Sequence, residues 1–320
     1  MITALLISLI AAIVPTFLYA LLFYWADRYE REPLWLLAIA FMWGALPAVI
    51  MSFLGEWLIG TPFVHTPNSA MAMLVEGSIV VPIVEETVKA MALLGIFIWA
   101  YEEFDNALDG LVYGALIGFG FAMTENFLYF IGAFSGGGFT ELSTVIFLRS
   151  ILFGMNHALY TSIVGVGFGL VRNRTDRLGR LLIPFVALLI AIVIHSLHNL
   201  GVALTAVNPL NIIFSIILAA CGLILLLAAI GITWQQEREL LQIELADEVG
   251  ETLTEAEYMT LTRNWSRPLR RRNEAERQQV RRMHLYVELA LHKRRLSHLG
   301  IEREPMLDEQ IALIREKLLV

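Results

Sequence analysis

Carboxylates, imidazoles and one lysine recur in this sequence where the surrounding residues are almost all apolar. Glu85, Glu86 and Lys89 stand in Val81-Pro82-Ile83-Val84-Glu85-Glu86-Thr87-Val88-Lys89, inside an apolar run from about 70 to 100. Helical spacing puts Lys89 four residues from Glu85 and three from Glu86, so either carboxylate shares a face with the amine. Glu125 and Asn126 lie in the next apolar run, His157 in the one after, and His195, His198 and Asn199 in the sixth. Crowded carboxylates divide acid and base roles, one holding a proton while another accepts one from water. His195 and Asn199, four residues apart, place two donors on one helix face that could stabilise an oxyanion. Carboxylates with imidazoles are also good ligands for a divalent metal such as zinc, which would activate water itself, and the candidates are Glu85, Glu125, His157 and His195. Both routes lead to hydrolysis, and the residue types leave them open.

The elements that must carry these residues are membrane spans. Apolar residues make up 57% of the chain and charged residues 17%, with a mean hydropathy of +0.66, which excludes an ordinary soluble domain. Runs of about 20 apolar residues or more occur at 2–25, 34–59, 71–100, 110–134, 142–171, 181–206 and 210–233. The fold class expected is therefore all-α, a polytopic bundle of about seven membrane helices. An ionisable group at mid-span costs about 2.5–3.5 kcal/mol on insertion scales and normally faces a polar interior. Four of these runs place such groups near their middles, so one shared, buried active site is expected.

Residues 1–233 hold 8 Lys/Arg and 14 Asp/Glu, and 234–320 hold 15 and 16. This divides the chain into a transmembrane domain, 1–233, and a charged helical tail, 234–320. Arg28, Arg31, Arg172, Arg174, Arg177 and Arg180 fall in loops on one side of a seven-span arrangement, whereas the opposite loops have no Lys or Arg. That bias puts the N-terminus outside and the tail in the cytoplasm. The acidic loop 101–108 runs against it. Met1 to Trp25 has no basic start and no small-residue cleavage site, and reads as a retained first helix.

Punctuation follows the same plan. Pro33 opens the second run, Pro62 and Pro67 fall in an outer loop, and Ser135-Gly136-Gly137-Gly138 separates the fourth and fifth. Asp109 is expected to cap the fourth helix, and Gly114, Gly118 and Gly120 to let a neighbouring backbone approach. In the tail, Thr254-Glu255-Ala256-Glu257 has the form of a capping box, and the remainder reads as a solvated helical face. Arg270, Arg271 and Arg272 are expected to meet anionic lipid heads. The tryptophans at span ends read as an interfacial belt. A single cysteine, Cys221, excludes disulfides, Cys-rich zinc sites and iron–sulfur clusters.

Some polar residues have a plainer reading. His198 is expected to hydrogen-bond between helices, and Glu86 to pair with Lys89 or Arg149 as well as serve the site. Glu56 and Glu76 lie near span ends and are set aside as interfacial.

Five blocks resemble the PrsW family of bacterial intramembrane proteases, a branch of the group that includes the CAAX-prenyl endopeptidases. They are Glu85-Glu86-Thr87-Val88-Lys89, Asp109-Gly110-Leu111-Val112-Tyr113-Gly114, Gly120-Phe121-Ala122-Met123-Thr124-Glu125-Asn126, His157-Ala158, and His195 with Asn199. The flank from Asp27 to Pro33 is also similar, whereas the tail is not covered. The resemblance implies cleavage of a membrane-anchored protein such as an anti-sigma factor, in the bacterial cytoplasmic membrane. It implies Glu85 as the base, Glu86 and Glu125 completing the acidic centre, His195 and Asn199 binding water or the oxyanion, and His157 as a further site residue. Glu125 stands where the prenyl-protease branch has histidine, and His198 where an aromatic residue is expected. The family is described as metalloproteases and the wider group as metal-free glutamate proteases, so zinc or another divalent metal remains an open alternative.

The function expected is intramembrane proteolysis, with the bilayer and a membrane-anchored protein as partners and no nucleic acid. The competing reading is a proton-coupled transporter using the same Glu and His residues as a relay. A scaffold acting through the tail is a third. The chain has no His-Glu-x-x-His zinc motif, no Gly-x-Ser-Gly nucleophile and no Gly-x-Gly-Asp signature.

Overall fold

The computed structural model describes residues 1–26, 29, 32–64, 69–104, 106–172, 174–264, 274–300 and 305–319. Arg28, Arg31, Pro67, Asp105 and Arg270 to Arg272, which carry parts of the orientation and lipid-contact expectations, lie outside the described residues. The described residues form helices α1 (Ile2–Ala26), α2 (Leu34–Trp43), α3 (Val49–Val64), α4 (Ser69–Val75), α5 (Val81–Trp99), α6 (Ala107–Ile146), α7 (Asn156–Val171), α8 (Arg177–Ala203), α9 (Asn211–Glu244), α10 (Glu255–Met259), α11 (Glu274–Leu299) and α12 (Leu307–Leu319). The chain folds as two compact units, one of residues 1–25 and 32–227, the other of 26–31 and 228–320.

Five helical stretches among the described residues are long and apolar enough to cross a membrane: Ile2–Ala26, Leu34–Ile59, Ala107–Val171, Arg177–Ala206 and Asn211–Glu244. The difference from seven apolar runs has two causes. The third run carries Glu76, Glu85, Glu86 and Lys89 along its length, and the fourth and fifth share one long stretch. On α1 and α9 large apolar side chains remain uncovered, such as Ile10 at 60% and Ile224 at 64%. Water would penalise that surface and hydrocarbon does not, so the chain is an integral membrane protein.

Three π-helical segments interrupt the first unit, at Gly44–Ala48, Glu76–Val80 and Phe147–Leu152. A π turn frees carbonyls that lipid cannot satisfy. Each segment has one carbonyl satisfied by a side chain from elsewhere in the unit: Thr124 donates to Ala45 at 2.6 Å, Asn199 to Gly77 at 2.9 Å, and Tyr19 to Ser150 at 3.0 Å. None of these breaks follows from apolar periodicity, and the fifth run, expected unbroken over 142–171, is divided between Leu152 and Asn156. Gly154 lies in that division, where a Cβ would meet the Ser150 carbonyl at 2.3 Å and the Tyr19 ring at 2.8 Å.

The cap of α6 is Asn106, not Asp109. The Asn106 side chain accepts from Leu108 and Asp109, and Asp109 completes a capping box by accepting from the Asn106 N–H at 2.8 Å. At Gly138 (φ 69°, ψ −151°) α6 turns, in a conformation closed to L side chains, and Leu142 beyond it packs in one cluster with Phe130 before it. Pro62 lies within α3 rather than in a loop. Arg172, expected as a loop cation, is buried: it donates to the Phe104 and Tyr101 carbonyls at 2.7 Å each and stacks on the Tyr101 ring. It clamps the acidic loop that ran against the charge bias.

A glycine seam sets the register of α6 against α7. A Cβ on Gly110, Gly114 or Gly118 would lie 2.0, 2.5 or 2.4 Å from the carbonyls of Gly165, Thr161 and His157 respectively. Both sets repeat every four residues, so small residues zip the two backbones together and fix how high His157 sits on α6. Gly120 does the same against the Phe41 carbonyl at 1.9 Å.

The second unit is more than a solvated face. Leu241, Leu245, Leu253, Leu261, Val280, Met283, Tyr286, Ile311, Ile314 and Leu318 form a core, and Tyr29 packs into it. The expected capping box at Thr254 and Glu257 is present. Glu248, 1% exposed, accepts from Arg315, Lys293 and Thr252 at 2.5, 3.1 and 2.9 Å. Burial pushes its carboxyl up, and these hydrogen bonds outweigh burial and hold it below the usual carboxylate range. A lowered folded-state pKa stabilises the unit above the unfolded value of about 4.3, and that contribution is lost as pH falls through the folded value. Glu248→Gln is expected to cost about 3 kcal/mol at pH 7, at the low end for a broken buried pair because Arg315 is partly exposed. Thermal melts of the full chain from pH 7 downward check this: the variant should differ from wild type at pH 7, and the difference should shrink only as pH falls well below about 4.3, through the lowered folded value.

Candidate active site

The seam, the π segments and α8 bring the polar residues of four apolar runs to one place in the first unit. Glu85, Glu86 and Lys89 project from α5 and are buried. The Lys89 ammonium donates to Glu85 Oε2 at 3.0 Å, to Glu86 Oε1 at 2.9 Å and to His157 Nδ1 at 3.1 Å. An ammonium has three protons and no acceptor, so all three are used and His157 Nδ1 must be unprotonated. His157 Nε2 then carries the proton and lies 2.8 Å from Glu125 Oε2, an ion-pair distance at which the oxygen makes no well-aligned hydrogen bond. Arg149, from the third π segment, reaches the same oxygen at 2.6 Å, donates to Asn126 at 2.8 Å and lies 3.8 Å over the Tyr129 ring.

His195 extends the network from α8. Its Nδ1 lies 3.0 Å from Glu86 Oε1, and a buried carboxylate there requires Nδ1 to be the donor, which leaves Nε2 with a lone pair. Its ring stacks on Tyr160 at 4.7 Å and meets His157 edge-on at 5.3 Å. Glu86 also accepts from Thr161 at 3.4 Å, and Lys89 sits 3.8 Å over the Phe121 ring. Two cationic side chains and three carboxylates, joined through His157, thus share one water-poor cluster. Unpaired, any of them would be far costlier to bury than paired.

A cavity of about 400 Å³ opens beside the cluster. Glu125, Arg149, His157, Tyr160, His195, His198 and Asn199 line it, with apolar residues such as Met73, Val81, Leu148 and Val202. Glu85, 3% exposed, and Glu86 stand behind that wall. The structure therefore brings Glu85, Glu86, Glu125, His157 and His195 into one connected cluster. Asn199 lies at its edge, one amide N–H committed to the Gly77 carbonyl. Glu86 pairs with Lys89 and His195, and Arg149 pairs with Glu125.

Sequence reasoning overlooked several neighbours. Glu56, set aside as interfacial, is half-buried with Glu125, Lys89 and Glu76 as its charged neighbours. Asn156 and Tyr160, on either side of His157, also line the cavity. Their spacing from His157, one residue before and three after, was the available signal. His198 bonds to another helix, as expected, and also lines the cavity.

The cluster has the donor atoms a divalent ion needs. One ligand atom each from Glu85, Glu86, His157 and His195 all lie within 4.8 Å of one another, and this donor set suits zinc. Glu125, a metal candidate by sequence, is outside that group. The Lys89 ammonium already bonds three of the four, so ammonium and metal ion are alternatives at this point.

The family profile described as "PrsW family intramembrane metalloprotease" matches residues 32–230, more than half of the chain. Among curated proteins, the chain is 29% identical over 168 residues to "Protease PrsW" of Oceanobacillus iheyensis, covering 52% of this chain and 70% of that one. It is 32% identical over 147 residues to "Protease PrsW" of Geobacillus kaustophilus, covering 46% and 59%, and 29% identical over 167 residues to that of Bacillus subtilis, covering 52% and 70%. No solved structure matches.

Proposed function

From the premise that this chain belongs to the PrsW family of intramembrane metalloproteases, we propose that it hydrolyses a peptide bond of a membrane-anchored protein in the cavity beside Glu125. The observation that carries this reading is the cavity wall itself, where Glu125, His157 and His195 stand together at the edge of a buried charge cluster. The resemblance placed the base at Glu85; we place it at Glu125, the carboxylate that reaches the cavity. Arg149 and His157 both stand within ion-pair distance of Glu125 Oε2 and thereby aim the carboxylate, leaving Oε1 to take a proton from water. Glu86 orients His195, whose Nε2 accepts a hydrogen bond from the same water or passes its proton on. Glu85 and Lys89 hold His157 in the tautomer whose protonated nitrogen faces Glu125. A divalent ion held by Glu85, Glu86, His157 and His195, with Lys89 withdrawn, would supply Lewis acidity to the scissile carbonyl.

We read residues 1–233 as the membrane protease domain, with seven passes: the charged 71–100 run and the two arms joined at Gly138 each cross. On that count the N-terminus is outside and 234–320 is cytoplasmic, in a bacterial cytoplasmic membrane. The substrate class, a single-span protein of the anti-sigma-factor type, rests on the resemblance.

Co-reconstitution of the purified protein with single-span proteins in vesicles tests the reading. The expected result is a pair of fragments cut within or beside the span. Proton flux across sealed vesicles without any cleavage would instead support the transporter reading. A parallel chelation and elemental assay separates the routes: activity that survives removal of all bound metal excludes the metal route.

A further inference from the structure

Arg149 has more donors than its partners use. A guanidinium carries five N–H groups and no acceptor. Nε donates to Asn126 Oδ1 at 2.8 Å, and Nη2 stands 2.6 Å from Glu125 Oε2. Among the described residues no acceptor meets the remaining amino group, Nη1, although Arg149 lines the cavity and its side chain keeps 24% of its surface open. The Tyr129 ring covers one face of the guanidinium at 3.8 Å. A stacked face and two anchored nitrogens fix the plane of the fork, so Nη1 is held in place before any ligand arrives.

The donors assigned to an oxyanion by resemblance supply less. His195 gives its Nδ1 proton to Glu86, and its Nε2 presents a lone pair, the wrong polarity for an oxygen that is gaining negative charge. Asn199 gives one amide proton to the Gly77 carbonyl and keeps the second beside the cavity, a neutral donor. Charge balance calls for a cation as well. When Glu125 takes a proton from water, the carboxylate charge that pairs with Arg149 disappears, and a full negative charge appears on the carbonyl oxygen under attack. A cation and an anion left apart in a water-poor cluster would each be costly. Arg149 avoids both costs by passing from one partner to the other.

We propose that Arg149 holds the carbonyl oxygen of the scissile bond through Nη1 and becomes its counter-charge as that oxygen turns into an oxyanion. This rests on the protease reading above. Glu125 takes a proton from water, the water oxygen bonds to the carbonyl carbon, and the carbonyl π electrons move onto the oxygen beside Arg149. As the tetrahedral intermediate collapses the carbonyl re-forms, the C–N bond breaks, and Glu125 returns the proton to the departing nitrogen. Water is the only co-reactant, and the guanidinium faces one negative charge throughout.

Binding and cleavage of a single-span peptide by the full chain in vesicles test the assignment. Fragments cut by the wild type fix the bond, and a peptide carrying a phosphinate at that bond mimics the tetrahedral oxyanion. In the Glu125→Gln background Arg149 has no base to aim. Adding Arg149→Met there should weaken the phosphinate peptide by about 10²–10³-fold and the parent peptide by less than about tenfold. In the wild-type background Arg149→Met should lower kcat by about 10²–10³-fold with little change in KM. Equal weakening of the two peptides, or of neither, would overturn the proposal, because it leaves Arg149 only the task of aiming Glu125. The double variant removes both charges of the pair and should melt close to Glu125→Gln. A much lower melting temperature with both peptides lost together marks a folding role and also overturns it. A wild-type protein that cleaves none of the offered proteins brings down the protease reading and this assignment with it, a failure visible before any variant is compared.

Discussion

Replacing Glu125 by glutamine is expected to lower the cleavage rate by about 10²–10⁴-fold, the range for removal of a general base, while leaving the fold intact. Glutamine keeps an oxygen that can accept from Arg149 and His157, so the contacts at 2.6 and 2.8 Å have a replacement. What is lost is basicity. Glu85→Gln is the informative partner in the same assay. Glu85 is 3% exposed and bonds Lys89, so its loss should act through the placement of His157 and lower the rate less than Glu125→Gln does. Rates measured on vesicle-reconstituted protein with a single-span substrate decide the matter. A Glu125→Gln enzyme at wild-type speed beside an inactive Glu85→Gln enzyme would return the base to Glu85.

The second large effect is expected at Lys89. Lys89→Met removes the cation that three buried groups share and leaves Glu85 and Glu86 without a counter-charge, 2.9–3.0 Å from where it stood. Breaking a buried pair from one side costs about 3–5 kcal/mol, because the remaining charge stays desolvated. The variant should melt well below wild type in detergent, and Glu86→Gln combined with Lys89→Met should recover part of the loss, since the pair interacts and the two effects are not additive. The same samples report on the metal. A Lys89→Met protein that is as stable as wild type and carries stoichiometric zinc would show that a metal ion can take the ammonium's place among Glu85, Glu86, His157 and His195.

Much of the site was legible because burying charge in hydrocarbon is expensive. Glu85, Glu86, Glu125, His157 and His195 stood out for lying in runs that otherwise exclude such residues. Glu56 was overlooked because distance from the run's centre was used as a substitute for distance from the other charges. Asn156 and Tyr160 went unnoticed because an amide or a phenol is cheap enough to bury that its presence in an apolar run signals little. Charge dominates the tail's composition and gives it the pattern of a solvated face, yet its leucines, Val280, Met283 and Tyr286 converge once the helices fold back.

Hydropathy and charge, which are local properties, were sufficient to determine that the chain is helical and membrane-embedded and that acidic and imidazole groups of separate runs belong together. The sequence also carried the family resemblance in short blocks. Only the tertiary structure decided which of those groups touch. His157 is a bridge between Lys89 and Glu125 because glycines on α6 and α7 let two backbones meet in one register, and Glu125 lines the cavity where Glu85 does not. The π segments and the placement of Tyr29 in the C-terminal core belong to the same class. Each depends on a partner distant in sequence that satisfies a carbonyl or fills a void, and neither periodicity nor composition records who that partner is.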